Sequence, residues 1–255
     1  MSAEPYKQYL DQVILHRCPL LIASKLSAVL IGSAADQRRD AYSDWDIHVF
    51  VRDTELSKLI PSCDSRPFLD DKTHDPPVFT LIRNFDHLDV RFGWEPILTL
   101  WIYQHSVVLR DDDRALSAYL SDRQREFTSG LGLEIRRRYT TLRSTRHSLD
   151  AACRRNAHST VQLLSAETVI QGIQLLHLLH ETPYPRTQWL MWSLSHYVLG
   201  KDTAARVEEA GNNLLCATPA TAPDYSRHFV GLIVDSMVTS GFDRQSLDCW
   251  WGLID

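Results

Sequence analysis

Two short motifs constrain this chain more than any other feature. One apolar run ends in Gly32-Ser33, and the next apolar run opens with Asp44 and Asp46 on either side of Trp45. Because side chains alternate between the two faces of a strand, Asp44 and Asp46 are predicted to point to the same side. Two carboxylates held so close repel each other unless a cation lies between them. The pattern therefore predicts half of a metal site at the beginning of a strand.

The next β-rich stretch supplies a third carboxylate. Two runs, 78–83 and 88–92, flank a polar turn, which is typical of a hairpin. Asp89 falls between two apolar residues of the second run, so it is predicted to lie on the open face of a strand. Since Mg²⁺ prefers oxygen ligands and bridges carboxylates to substrate phosphates, Asp44, Asp46 and Asp89 are predicted to hold two Mg²⁺ ions against a nucleoside triphosphate.

In this order, the Gly-Ser turn, the Asp-x-Asp strand and the later strand aspartate resemble the nucleotidyltransferase superfamily. The resemblance covers about residues 25–112. It is strongest to the small bacterial aminoglycoside and lincosamide nucleotidyltransferases, in which a sheet domain precedes a helical domain. One departure is the spacer 34–43, which lacks the additional glycine often found there and leaves the shape of that loop open.

The resemblance implies a fold class, an activity and a set of site residues. The fold would be α+β, with a mixed-sheet nucleotidyltransferase domain over 1–112 and an all-α substrate-binding domain over 113–255. The enzyme would transfer a nucleoside monophosphate, with AMP from ATP as first choice, to a hydroxyl of a small molecule such as an aminoglycoside-type antibiotic, releasing pyrophosphate. Gly32 would allow close backbone approach, and Ser33 would donate a hydrogen bond to the phosphates.

The acceptor's proton needs a base, and the sequence offers two. Asp89 would lie next to the incoming hydroxyl and is the more economical choice, because a metal-adjacent carboxylate can also accept a proton. Glu167, in the second long helix, is the alternative by analogy with relatives that use a carboxylate of the helical domain.

Two other functions stay open. One is nucleotidyl transfer to a protein side chain or an RNA end, for which the arginine-rich stretch 136–155 would be either a docking surface or a solvated helix face. The other is a nucleotide-binding regulator without catalysis, and the set of three aspartates counts against it. Both a monomer and a homodimer fit the sequence.

Composition places the chain among globular proteins. Its 255 residues are 44% hydrophobic and 23% charged, and its five cysteines form no close pair, so free thiols in a reducing compartment are expected. The net charge of −5 weighs against a dedicated nucleic-acid binder, because phosphate contacts need clustered positive charge. With no apolar run of membrane length and no leader-like pattern, a cytoplasmic protein without a membrane partner is expected.

Periodicity predicts the remaining elements. In the sheet domain it predicts strands at 26–31, 45–51 and 107–110 and helices at 5–24, 54–59 and 95–105. The polar stretch 61–77 is predicted to be a loop, either a cover for bound nucleotide or a plain surface excursion. Helices dominate from about 131, just after Gly130. His177 and His180 have a spacing that suits a metal, but a core or interfacial position is favoured for histidines on a leucine-rich helix.

Overall fold

The computed structural model describes residues 3–22, 24–36, 43–52 and 69–253. The chain divides into two compact units, residues 1–125 and 126–255. The first unit contains a mixed β-sheet, and the second is helical. The predicted α+β class, with a helical region after the sheet, is therefore confirmed.

Five strands form the sheet within the described residues. In chain order they are β1 Leu26–Ile31, β2 Trp45–Val51, β3 Leu69–Asp71, β4 Val78–Asn84 and β5 Val107–Asp111. Their order across the sheet is β3-β4-β2-β1-β5. The central strand β2 runs antiparallel to β1 and parallel to β4. All residues of β2 except Asp46 are buried, which accounts for the mostly apolar character of this strand.

N-terminal helices cover one face of this sheet. They are α1 Glu4–Tyr9, a π-helical turn Leu10–Ile14, α2 Leu15–Arg17 and a 3₁₀ turn Pro19–Leu21, so the predicted helix over 5–24 is a series of short pieces. The Trp45 ring lies 4.5 Å from that of Tyr6 and 6.0 Å from that of Tyr9. Ile47, Val49 and Val51 belong to the same buried cluster. The alternate side chains of β2 therefore face the other way.

Two further helices follow β4, namely α3 His87–Trp94 and α4 Pro96–Gln104. The helix predicted over 95–105 is confirmed by α4, but the strand predicted over 88–92 is wrong, because those residues lie in α3. Leu88 and Phe92, four positions apart, are both buried, whereas Val90 is 51% exposed. That is the spacing of a helix rather than a strand.

The loop predicted over 61–77 is wrong in one part. The strand β3 falls inside the stretch 61–77, where only a loop was expected. Residues 61–68 lie outside the described residues, as does the predicted helix over 54–59.

Helices make up the second unit. The longest, α5 Ala115–Arg154, has 40 residues and contains the boundary between the two units. It passes through Gly130 without a break, so the helix start expected there is wrong. The other helices are α6 His158–Leu179, α7 Leu190–Ser193, α8 Lys201–Leu215, α9 Ala222–Thr239 and α10 Arg244–Asp248. None of the helices in the described parts of the chain is both long enough and apolar enough to cross a bilayer.

A small residue lets α6 and α9 approach closely. A Cβ atom added to Gly172 would lie 2.5 Å from Cε1 of Phe229, so no larger residue fits there without a shift. On the same helix His177 is fully buried, with Nδ1 3.0 Å from the Ile173 carbonyl oxygen and Nε2 2.8 Å from Ser193 Oγ. The core position expected for His177 is confirmed, and His180 is exposed.

Candidate functional site

Asp44 and Asp46 lie where β2 begins. Asp44 directly precedes the strand and Asp46 is its second residue. Both carboxylates are half-buried, whereas Trp45 and Ile47 are buried in the core on the opposite side. Because side chains alternate along a strand, the two carboxylates share the face that the N-terminal helices leave uncovered. The predicted strand and its alternation are thus present around this pair.

The Gly-Ser turn lies against Asp46. Ile31, the last residue of β1, pairs with Asp46 in the antiparallel register, so the chain leaves β1 beside this carboxylate. Gly32 has a φ of +76°, a left-handed conformation that favours glycine. A Cβ added at Gly32 would lie 3.1 Å from Asp46 Oδ2. The left-handed conformation favours glycine, and a larger residue would displace the Asp46 carboxylate by a few tenths of an ångström. Half-buried Ser33 follows in a single 3₁₀ turn, Gly32–Ala34.

A buried histidine continues the same row of side chains. His48, two residues beyond Asp46, is 6% exposed, and its Nδ1 lies 3.1 Å from the hydroxyl oxygen of Tyr103. Arg91 also donates to that hydroxyl, with Nη1 3.4 Å away. Since Arg91 donates to the oxygen, the hydroxyl hydrogen is available to His48 Nδ1. These hydrogen bonds through the Tyr103 hydroxyl connect β2 to α3 and α4 next to the aspartate pair.

Positive charge surrounds that histidine. Burial, followed by the charges of Arg91, His87 and Arg83, lowers the pKa of His48 to about 3. Burial and then the two arginines also lower the pKa of His87. His48 is therefore uncharged at neutral pH, and Arg83 and Arg91 lie close enough to act on it. Their charges can attract the oxygens of a polyphosphate.

Asp89 lies elsewhere in the sheet unit. It is an exposed residue of α3, and its Oδ1 accepts a hydrogen bond from the Tyr119 hydroxyl at 2.6 Å. Among the described residues, no three His, Cys, Asp or Glu side chains are grouped closely enough to hold a metal ion. The structure thus does not bring Asp89 together with Asp44 and Asp46, since a helix, not a strand of the sheet, carries it.

Glu167 belongs to the helical unit. It is an exposed residue of α6. Its assignment as general base stays a prediction.

Sequence reasoning missed His48 and Tyr103. A signal for His48 was present, because it extends the alternation of Asp44 and Asp46 by one more step. Tyr103 left no such signal, since it comes from α4 and meets β2 only through the tertiary fold.

Comparisons with known proteins give little support for a specific activity. No family model matches the sequence, and neither does any curated protein. Among solved structures, the chain is similar to a nucleotidyltransferase-like protein from Exiguobacterium sibiricum 255-15, with a TM-score of 0.49 and 10% identity over 92% of this chain and 77% of that chain. A likeness this distant assigns neither an activity nor a ligand, so the case for a function comes from this chain's own residues.

Proposed function

We propose that this protein binds a nucleoside triphosphate with Mg²⁺ where β1 ends and β2 begins, and transfers the nucleoside monophosphate to a hydroxyl of a small molecule. The observation that carries the proposal is the close approach of Gly32 to Asp46, where an added Cβ would lie only 3.1 Å from Oδ2 of that carboxylate. A glycine turn pressed against a carboxylate places backbone N–H groups and a metal ligand side by side. Phosphate oxygens and their counter-ion need both.

The donor set suits Mg²⁺ that shares its shell with a substrate. Mg²⁺ keeps few protein ligands and is usually held by one or two carboxylates plus phosphate oxygens. Asp44 and Asp46 would be those two carboxylates. When bound, Mg²⁺ would neutralise phosphate charge and lower the pKa of a coordinated hydroxyl.

The chain's own residues would position the nucleotide. Gly32 would let the backbone approach the phosphates, and Ser33 would donate a hydrogen bond to them. Arg83 and Arg91, which act on nearby His48, would attract the departing pyrophosphate. ATP is the first choice of nucleotide and an aminoglycoside-type antibiotic the first choice of acceptor, both by resemblance alone.

In the proposed reaction the acceptor oxygen forms a bond to the α-phosphorus, and the bond from that phosphorus to the α–β bridging oxygen breaks. Pyrophosphate carries away the bonding electron pair, and the acceptor's proton passes to a base. Asp89 and Glu167 stay predictions for that base.

A second function is favoured by one observation. The described residues contain no grouped third carboxylate beside Asp44 and Asp46. A site with two carboxylates can hold a metal–nucleotide complex without an additional ligand to organise attack. A regulator that binds the nucleotide with Mg²⁺ and does not turn it over would have this property.

Labelled nucleotide separates these functions. The full chain is incubated with Mg²⁺, a cell lysate and each of the four triphosphates labelled at the α-phosphate, and pyrophosphate release is followed in parallel. The proposal expects label in the small-molecule fraction, together with pyrophosphate. Label in protein or RNA would indicate a macromolecular acceptor, and nucleotide binding without pyrophosphate would indicate a regulator.

Two variants control the experiment. Asp44→Asn with Asp46→Asn should abolish both signals, because the metal would lose its protein ligands. Asp70→Asn is the matched control, since Asp70 is an exposed strand carboxylate of the same sheet that pairs with Lys72 at 3.3 Å. Equal activity of the double variant and the control would refute the proposed site.

A further inference from the structure

A cavity of about 520 Å³ lies in the helical unit, between the last turns of α5 and the first turns of α9. Arg146, Asp150 and Arg154 line it from α5, and Arg227 lines it from α9. Two prolines, one in the loop before α9 and one in its first turn, complete the wall. A cavity of this size holds a small organic molecule.

Positive charge dominates the lining, with three arginines against the single carboxylate of Asp150. That carboxylate is a distant partner, because Nη2 of Arg146 lies 4.0 Å from Asp150 Oδ2. Arg227 pairs with exposed Asp224 at 2.5 Å. Arg154 forms no ion pair or side-chain hydrogen bond with another residue in the described part of the chain. The cavity therefore has guanidinium N–H donors that no carboxylate of the lining occupies.

Arg146 is the most buried of these donors. Its Nε is shielded from solvent and has no hydrogen-bond partner among the residues that the structure describes. Burial lowers the pKa of Arg146, and Asp150 only partly opposes that effect. A half-buried guanidinium whose Nε lacks a partner is less stable than one whose hydrogen bonds are completed by an anion.

We propose that this cavity binds the phosphate group of a small phosphorylated molecule. A guanidinium donates two parallel hydrogen bonds to a phosphate, and arginines from two helices can bind the phosphate from different sides. The lining carries three arginines against one carboxylate, and even with Arg227 paired to Asp224 the excess charge is positive, as an anionic phosphate ester requires. The prolines offer an apolar wall to the rest of the molecule. This site lies within the helical unit, and the proposal does not depend on nucleotidyl transfer at Asp46.

Titration calorimetry on the full chain tests the site. Ribose 5-phosphate should bind at least as tightly as inorganic phosphate, and ribose and malonate should not bind measurably. Arg154→Gln should weaken ribose 5-phosphate binding by ~10-fold or more, because a charge-assisted pair is lost. The neighbouring Arg155, which follows α5 outside the cavity, provides the matched control Arg155→Gln, with no change expected.

Three outcomes would overturn the proposal: no binding of either phosphate, equal weakening by the two variants, or tighter binding of malonate than of ribose 5-phosphate. The last would make the cavity a carboxylate site.

A chemical readout needs no variant. Cys153 is a lining residue of the cavity, whereas Cys216 is exposed outside it. Ribose 5-phosphate should slow alkylation of Cys153 by iodoacetamide several-fold and leave Cys216 unchanged, as measured by mass spectrometry of the two peptides. Unchanged alkylation of Cys153 at saturating ribose 5-phosphate would also overturn the assignment.

Discussion

Two stretches of this chain share the pattern apolar-Asp-apolar and fold differently. Trp45-Asp46-Ile47 lies in the central strand β2, and Leu88-Asp89-Val90 lies in the helix α3. Both apolar neighbours of Asp46 are buried, but of the neighbours of Asp89 only Leu88 is buried. Three residues are too few to distinguish a strand from a helix, and the longer periodicity decides.

That longer periodicity differs between the two stretches. After Asp46, every residue from Ile47 to Val51 is buried, as expected for a strand hydrogen-bonded on both sides. After Leu88, the next buried residue is Phe92, one helical turn further on. The helix then ends before Pro96, because a residue preceding proline disfavours helical geometry.

The largest expected difference between the stretches is in catalysis. Under the proposed function, Asp46→Asn lowers turnover by at least ~10³-fold, about 4 kcal/mol of transition-state stabilisation, because a metal ligand is lost. If Glu167 rather than Asp89 is the base, Asp89→Asn should lower it by less than ~10-fold, about 1.4 kcal/mol, since this exposed carboxylate is engaged by Tyr119. Pyrophosphate release measures both variants. Equal losses in two folded variants would return Asp89 to the metal-binding role that the sequence pattern predicts.

The next comparison is within α3. Leu88→Ala should lower the free energy of unfolding by about 3 kcal/mol, because Leu88 is fully buried. Val90→Ala should lower it by less than about 0.5 kcal/mol, because Val90 is half-exposed. Urea unfolding measures both. Similar losses would indicate that Leu88 and Val90 share a buried face, as they would on a strand.

The pH dependence of stability tests the packing of β2 beneath its helices. In the unfolded chain His48 would have its ordinary pKa of 6.5, whereas in the folded protein the value is about 3. Between these pH values the unfolded state gains a proton that the folded state does not, so stability falls as pH decreases. About 2 kcal/mol should be lost between pH 6.5 and 5.

His48→Gln provides the control for that experiment. The variant should lose most of the pH dependence in this window, as measured by urea unfolding at each pH. His87, whose pKa is also lowered, contributes in the same direction and is replaced separately by glutamine. If the free energy of unfolding of His48→Gln depends on pH as steeply as that of the unmodified protein, the imidazole is not buried.

The smallest expected effect concerns the turn beside Asp46. Gly32→Ala should lower stability by about 1 kcal/mol, because alanine disfavours a φ of +76°. Turnover should fall by ~10-fold, since the new methyl group would displace the Asp46 carboxylate. The control is Gly130→Ala, where an added Cβ would meet no other residue within 4 Å. There the higher helix propensity of alanine should raise stability by about 0.5 kcal/mol. Full activity of Gly32→Ala would show that the turn at Gly32 does not contribute to the nucleotide site.

Sequence reasoning predicts the sheet unit best where the periodicity is long. The strands around Val29 and Val49 follow from mostly apolar runs, and the Asp44–Asp46 alternation follows from strand geometry. The error at Asp89 arose because the short run Leu88-Asp89-Val90 fits both the two-residue period of a strand and the 3.6-residue period of a helix. The contact between His48 and Tyr103 was out of reach, because residues 55 positions apart in sequence meet only after the sheet and helices have packed.

The place of β1 in the sheet has a consequence for synthesis of the chain. Leu26–Ile31 hydrogen-bonds on one side to β2 and on the other to Val107–Asp111, which leaves the ribosome much later. Until that last strand emerges, one edge of an apolar strand exposes open amide and carbonyl groups that another nascent chain could capture. Slowing translation once Val107–Asp111 has left the ribosome should therefore raise the yield of folded protein, whereas slowing it before that strand has left should favour aggregation.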